Sequence, residues 1–265
     1  MKLLYQIVCI LLLFLSCKKD KNPETTNNNT GKIIFSFAHQ VNGQPIQFDT
    51  LKYINDAGNH YLVSDIKYFI SDVILYKSDG TTKMINEWND IYYVDSNIPS
   101  TLTWSVYDKI SVGSYDSIKF VFGITKEKNK SFMFVNPPEV NMAWPDIFGG
   151  GYHYMMLDGK WIDTTGYLNN FNFHLGIGQL YKGTTFNTDS ITGYVQNYFT
   201  VKLPNSSFTI KSGETKEIQI IMQVDSWFKT PYIFDFNKWG GSIMQNQLAM
   251  QIAKENGSDI FSCIF

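Results

Sequence analysis

The sequence predicts an all-β fold: an antiparallel β-sandwich with immunoglobulin-like layering and one C-terminal α-helix. Three observations predict it. Aromatic residues make up 16% of the chain, with 20 Phe and 16 Tyr, while charged residues make up only 17%. Aromatic and β-branched side chains suit a pleated, half-buried surface. A hydrophobic period of two recurs between Gly, Asn and Asp punctuation. A helical period stands out near the C-terminus alone.

The elements follow in order. Ile33, Phe35 and Phe37 alternate with smaller or polar neighbours and define a first strand. Residues 66–76 (IKYFISDVILY) are apolar on both faces, the pattern of a central strand covered on each side. Asp79-Gly80 supplies a tight turn, with Lys83 to Ile85 as the next strand. Ile118, Phe120, Phe122 and Ile124 alternate cleanly. Phe171, Phe173, Leu175 and Ile177 repeat the pattern, as do Ile218, Ile220, Met222 and Val224. Between them, residues 136–151 carry Pro137-Pro138 and the glycines 149–151, which argue for a long ordered loop. The helix is expected over 242–256. Ser242 and Gln245 fit a capping box, Met244, Leu248 and Ile252 share one face, and Gly257 is a stop.

The N-terminus reads as an export signal. Lys2 precedes an apolar stretch from Leu3 to Leu15 that is too short for a membrane span. Ser16-Cys17 then places a small residue before a cysteine, so residues 1–16 resemble a bacterial lipoprotein signal with Cys17 as the lipidated new N-terminus. Residues 17–31 are polar and suit a flexible tether, leaving 32–265 as one domain. Lipid on Cys17 makes a membrane the first expected partner. The expected location is the cell envelope, at the outer membrane, facing the periplasm or the cell surface. With Cys9 removed and Cys17 consumed, Cys263 is the one remaining thiol, and no internal disulfide can form.

A net charge of −2 offers no basic field for a polyanion, which argues against nucleic acid. No H-E-x-x-H, C-x-x-C, G-x-S-x-G or P-loop occurs. Asp146, Asp158 and Asp163 near the glycine loop are the candidates for acid–base work, but no spacing selects a pair, and the chain is read as a non-enzyme. His39 continues the phase of Phe35 and Phe37 and faces the core or its rim. His174 lies on the face opposite Phe173 and Leu175. His153 follows the glycines, with Met155 and Met156 beside it and Met142 and Trp144 in the preceding loop. Imidazole with thioether suits copper better than calcium or magnesium. Methionines and aromatics near an apolar loop also suit plain packing. His60, in NDAGNHY, reads as a solvated turn residue.

The succession VSDIKYFISDVILYKSDG (63–80), IKFVFGI (118–124), NMAWPDIFGGGYHYMMLDGKW (141–161) and FNFHLG (171–176) resembles the MbnP-like family, named for a copper-binding periplasmic partner of methanobactin systems. The resemblance implies a β-rich exported fold with one bound copper. It also implies a di-haem peroxidase-like partner that oxidises a tryptophan beside the metal. Trp144 matches the tryptophan-bearing loop and His174 the histidine of FHLG. The cysteine that follows FHLG in methanotroph members is absent here, where Gly176-Ile177-Gly178-Gln179 stands. The candidate ligands are therefore His39, His153 and His174, with Met142, Trp144 and Met155 as neighbours. The competing reading is a metal-free surface module for glycans or proteins, with Trp88, Trp104 and Trp161 as aromatic platforms.

Overall fold

The computed structural model describes residues 29–183 and 186–265. The signal segment, Cys17 and most of the tether lie outside the described residues. The principal strands are β1 (Thr30–Val41), β2 (His60–Lys77), β3 (Ile91–Asp95), β4 (Gly113–Phe122), β5 (Met155–Ile162), β6 (Leu168–Leu175), β7 (Ile177–Tyr181), β8 (Ile191–Gln196), β9 (Phe199–Lys202), β10 (Thr215–Gln223) and β11 (Phe261–Ile264). Two helices, α1 (Phe236–Trp239) and α2 (Gln247–Asn256), lie near the C-terminus. One sheet runs β11-β10-β1, and a larger one runs β6-β5-β2-β4-β9 with β3 also on β2. The hairpin β7-β8 stands apart from both. This is the expected all-β sandwich.

One ladder departs from the antiparallel expectation. β1 and β10 run parallel, from Lys32 opposite Thr215 to Gln40 opposite Gln223. β1 also begins earlier than the polar composition suggests. Thr30 and Gly31 pair with Ser111 and Ile110, so the domain starts inside the stretch read as tether. Gly31 permits this, because a Cβ there would lie 2.6 Å from Glu214 O and from Ile210.

β2 is the central strand that its two apolar faces predict. Tyr68 packs towards the second sheet against His39, Phe122 and Phe261. Phe69 packs the other way, against Tyr93, Phe134 and Tyr152. At Phe69 the strand changes partner. Its N–H donates to Tyr154 O at 3.1 Å, and its carbonyl accepts from Gly123 N at 2.8 Å. Gly123 has φ +96°, and a Cβ there would strike the Tyr154 ring at 2.7 Å. This residue ends β4 at Phe122, so Ile124 lies beyond the strand expected to contain it.

The C-terminal helix starts five residues later than expected. Gly241 O accepts from Asn172 N at 2.6 Å, and Ser242 bridges Asn172 in parallel, which holds the backbone extended there. Asn246 is the cap instead, its side chain accepting from Ala249 N at 3.1 Å. The buried face is Ala249, Met250, Ala253 and Asn256, while Leu248 is 71% exposed. Gly257 does close the helix, with φ −68° rather than a left-handed turn. Its glycine is required for space, since a Cβ would sit 2.4 Å from the Phe199 ring.

Candidate metal centre

β5 and β6 build one wall of the site through their register. Met156 opposes His174 and Asp158 opposes Asn172, so all four residues share the face turned away from Leu157, Phe173 and Leu175. Across that face His174 Nε2 donates to Asp158 Oδ1 at 2.9 Å, and Asn172 Nδ2 donates to the same oxygen. Burial raises Asp158, but the bonds from His174 and Asn172 and the Lys67 charge outweigh it and hold the carboxyl below its ordinary range.

The glycine loop supplies the other wall. Residues 142–144 return alongside 151–153: Trp144 N donates to Gly151 O at 2.8 Å, and His153 N donates to Met142 O at 2.7 Å. The same Met142 carbonyl accepts from His153 Nδ1 at 2.9 Å. His153 is thus tied to the loop by its own backbone and its ring. Burial, then the neighbouring His174, pushes its pKa down to about 4, so the ring is neutral near pH 7.

The two walls meet at the rings. The His153 and His174 centroids lie 5.1 Å apart with planes at 86°, and Trp144 lies 4.6 Å from His153, edge-on at 72°. Trp144 is 2% exposed, and its Nε1–H donates to Phe148 O at 3.1 Å. Its six-membered ring rests on Gly176, where a Cβ would lie 2.6 Å away. The glycine of FHLG is therefore the floor on which the tryptophan sits.

The structure brings together His153, His174 and Trp144, and separates His39 and Met155 from them. His39 faces the sandwich interior, edge-on to Tyr68 at 5.8 Å, with its Nε2 buried and unpartnered. Burial lowers its pKa to about 4. It sits on the core side of the larger sheet, and His174 sits on the outer side. Met155 is fully buried among core residues, because the period of two that turns Met156 outward turns Met155 in. Met142 enters through its carbonyl, and its side chain is buried. His60 is exposed, as its turn predicts. Among the described residues no three His, Cys, Asp or Glu side chains form a metal cage. The site is a histidine pair capped by an indole.

Asp158, an acid–base candidate by its position near the glycine loop, instead lies behind His174 and accepts from its ring. The signal was present: both strands alternate, so a correct register puts Asp158 diagonally beside His174. Asp146 is occupied by Ser131 Oγ at 2.6 Å, and Asp163 closes its own turn with Thr165 and Tyr167. Of the proposed aromatic platforms, Trp104 stacks on Tyr92 at 4.7 Å and Trp161 on Phe236 at 5.5 Å, both buried. Trp88 alone of these three faces solvent, at 92% exposure.

These features define a class: an all-β domain carrying a histidine pair and a buried tryptophan on a glycine-rich loop. The family model for MbnP matches residues 30–245, and the chain belongs to the MbnP family. Among solved structures it is similar to MbnP from Methylosinus trichosporium, with a TM-score of 0.58 and 16% identity over 88% of this chain and 98% of that one. At that identity the likeness speaks to the fold. No curated protein matches the sequence.

Proposed function

We propose that this chain is an exported, lipid-anchored protein that binds a metal ion, with copper favoured, between His153 and His174. One observation carries the reading. In each ring one nitrogen is tied back, His153 Nδ1 to a carbonyl and His174 Nε2 to a carboxylate, so His153 Nε2 and His174 Nδ1 are the nitrogens that would bind the ion. Anchoring of the second ring nitrogen by a carbonyl or carboxylate is the usual setting of a metal-bound histidine. Two imidazoles, one of them beside an indole, fit a soft, low-coordinate ion such as Cu(I). Structural zinc asks for four ligands, and calcium for six or more oxygens. The Trp144 indole lies edge-on to His153.

The test is competition between the purified full chain and a chromogenic Cu(I) chelator. His153→Ala/His174→Ala is expected to weaken binding at least about 100-fold, near 2.7 kcal/mol. Unchanged affinity in that variant contradicts the assignment. A metal-free binding role rests on Trp88, which lies 6.1 Å from the exposed Tyr107. Reproducible glycan-array binding by chelator-treated protein, lost in Trp88→Ala, supports that second role.

A further inference from the structure

Gly149 and Gly151 also border a cavity of about 490 Å³ that uses none of the paired histidines. Lys126 and Lys130 line it from the loop after β4, and Tyr194 and Gln196 line it from β8. No carboxylate is among its lining residues. We propose that this cavity binds a small organic anion, a carboxylate or phosphate group carried on an aromatic or apolar body.

Neither lysine has an ion-pair partner among the described residues. Lys130 Nζ spends one donor on Lys126 O at 3.1 Å and keeps the others. Gln196 accepts from Tyr154 Oη through its Oε1 at 2.6 Å, so its Nε2 is a further uncommitted donor. The neighbouring polar side chains are engaged with the glycine loop. Asn129 Oδ1 takes Tyr152 N at 2.8 Å while Nδ2 donates to Tyr152 O. Ser131 Oγ donates to Asp146, outside the lining, and accepts from Gly151 N at 2.9 Å. Two ammonium groups and an amide donor, with no carboxylate in the lining, favour a negatively charged guest.

Ile177 and the half-exposed ring of Tyr194 form the apolar wall. Gly149 lets that wall approach: a Cβ there would lie 2.8 Å from Ile177 Cγ2 and 3.0 Å from Tyr194 Cδ1. The volume exceeds that of a bare oxyanion and falls in the range of small-molecule pockets. One face of the glycine loop thus holds His153, and the other borders a cationic pocket.

Calorimetric titration of the full chain in detergent, with a metal chelator present, tests this apart from the metal reading. The probes are benzoate, phenyl phosphate, inorganic phosphate and neutral benzamide. At least one of the two aromatic anions is expected to saturate with a Kd below about 1 mM. Its binding should weaken with added salt and be at least about tenfold tighter than benzamide or inorganic phosphate. Lys126→Gln/Lys130→Gln should weaken it at least about tenfold, with an unchanged melting profile reporting an intact fold. Tyr194→Ala should weaken phenyl phosphate more than inorganic phosphate. Failure of both aromatic anions to saturate, benzamide binding as tightly, or indifference to the double lysine substitution overturns the proposal.

Discussion

Burial sets different tasks for two of the histidines and leaves the same titration signature on both. His39 and His153 have pKa values lowered to about 4 from an ordinary 6.5. The unfolded chain therefore binds more protons between pH 6.5 and 4, and stability falls as pH falls through that window. Each shift corresponds to roughly 3 kcal/mol, fully present above pH 6.5. Urea unfolding between pH 7 and 4 is expected to show this loss, and His39→Leu should remove about one proton from the slope. Cu(I) affinity should be untouched by His39→Leu, since that ring faces the sandwich interior. Asp158→Asn should lower Cu(I) affinity about 10- to 100-fold in the chelator competition, by loosening the orientation of His174. Equal affinity for Asp158→Asn and the unsubstituted protein would separate the carboxylate from the site.

Glycines and caps decide where the elements stop, and here the sequence was only partly legible. Gly176→Ala should displace the Trp144 ring by closing the 2.6 Å approach, read as a changed near-ultraviolet dichroism signal and weaker Cu(I) binding. Asn246→Ala should cost about 1 kcal/mol in urea unfolding through loss of the α2 cap, while Ser242→Ala should cost less than about 0.5. The alternating strands, the central position of residues 66–76 and the outward His174 were all readable from a period of two. The register that joins Met156 to His174 and Asp158 to Asn172 was not, because it depends on a pairing that local pattern does not specify. The helix start at Gln247 was hidden for a similar reason: Ser242 makes a long-range bridge to Asn172 that outweighs its local capping pattern. The parallel β1–β10 ladder joins segments about 180 residues apart, beyond any local signal.

At the scale of the molecule, two packed sheets present an outer face of β5 and β6, and the glycine loop lies over it. The described domain begins at β1, close behind the segment expected to carry the anchor. Cys17→Ser is expected to move the protein from the membrane to the soluble fraction, with loss of the lipid mass from its N-terminal peptide. Metal binding by His153 and His174 can be read at two ring nitrogens. Cu(I) is diamagnetic, so long-range proton–nitrogen correlation spectra of the labelled protein report each imidazole nitrogen before and after loading. The expected result is a shift at His153 Nε2 and His174 Nδ1 with the nitrogens of His39 and His60 unmoved. Unmoved His153 and His174 nitrogens in copper-loaded protein would contradict the account.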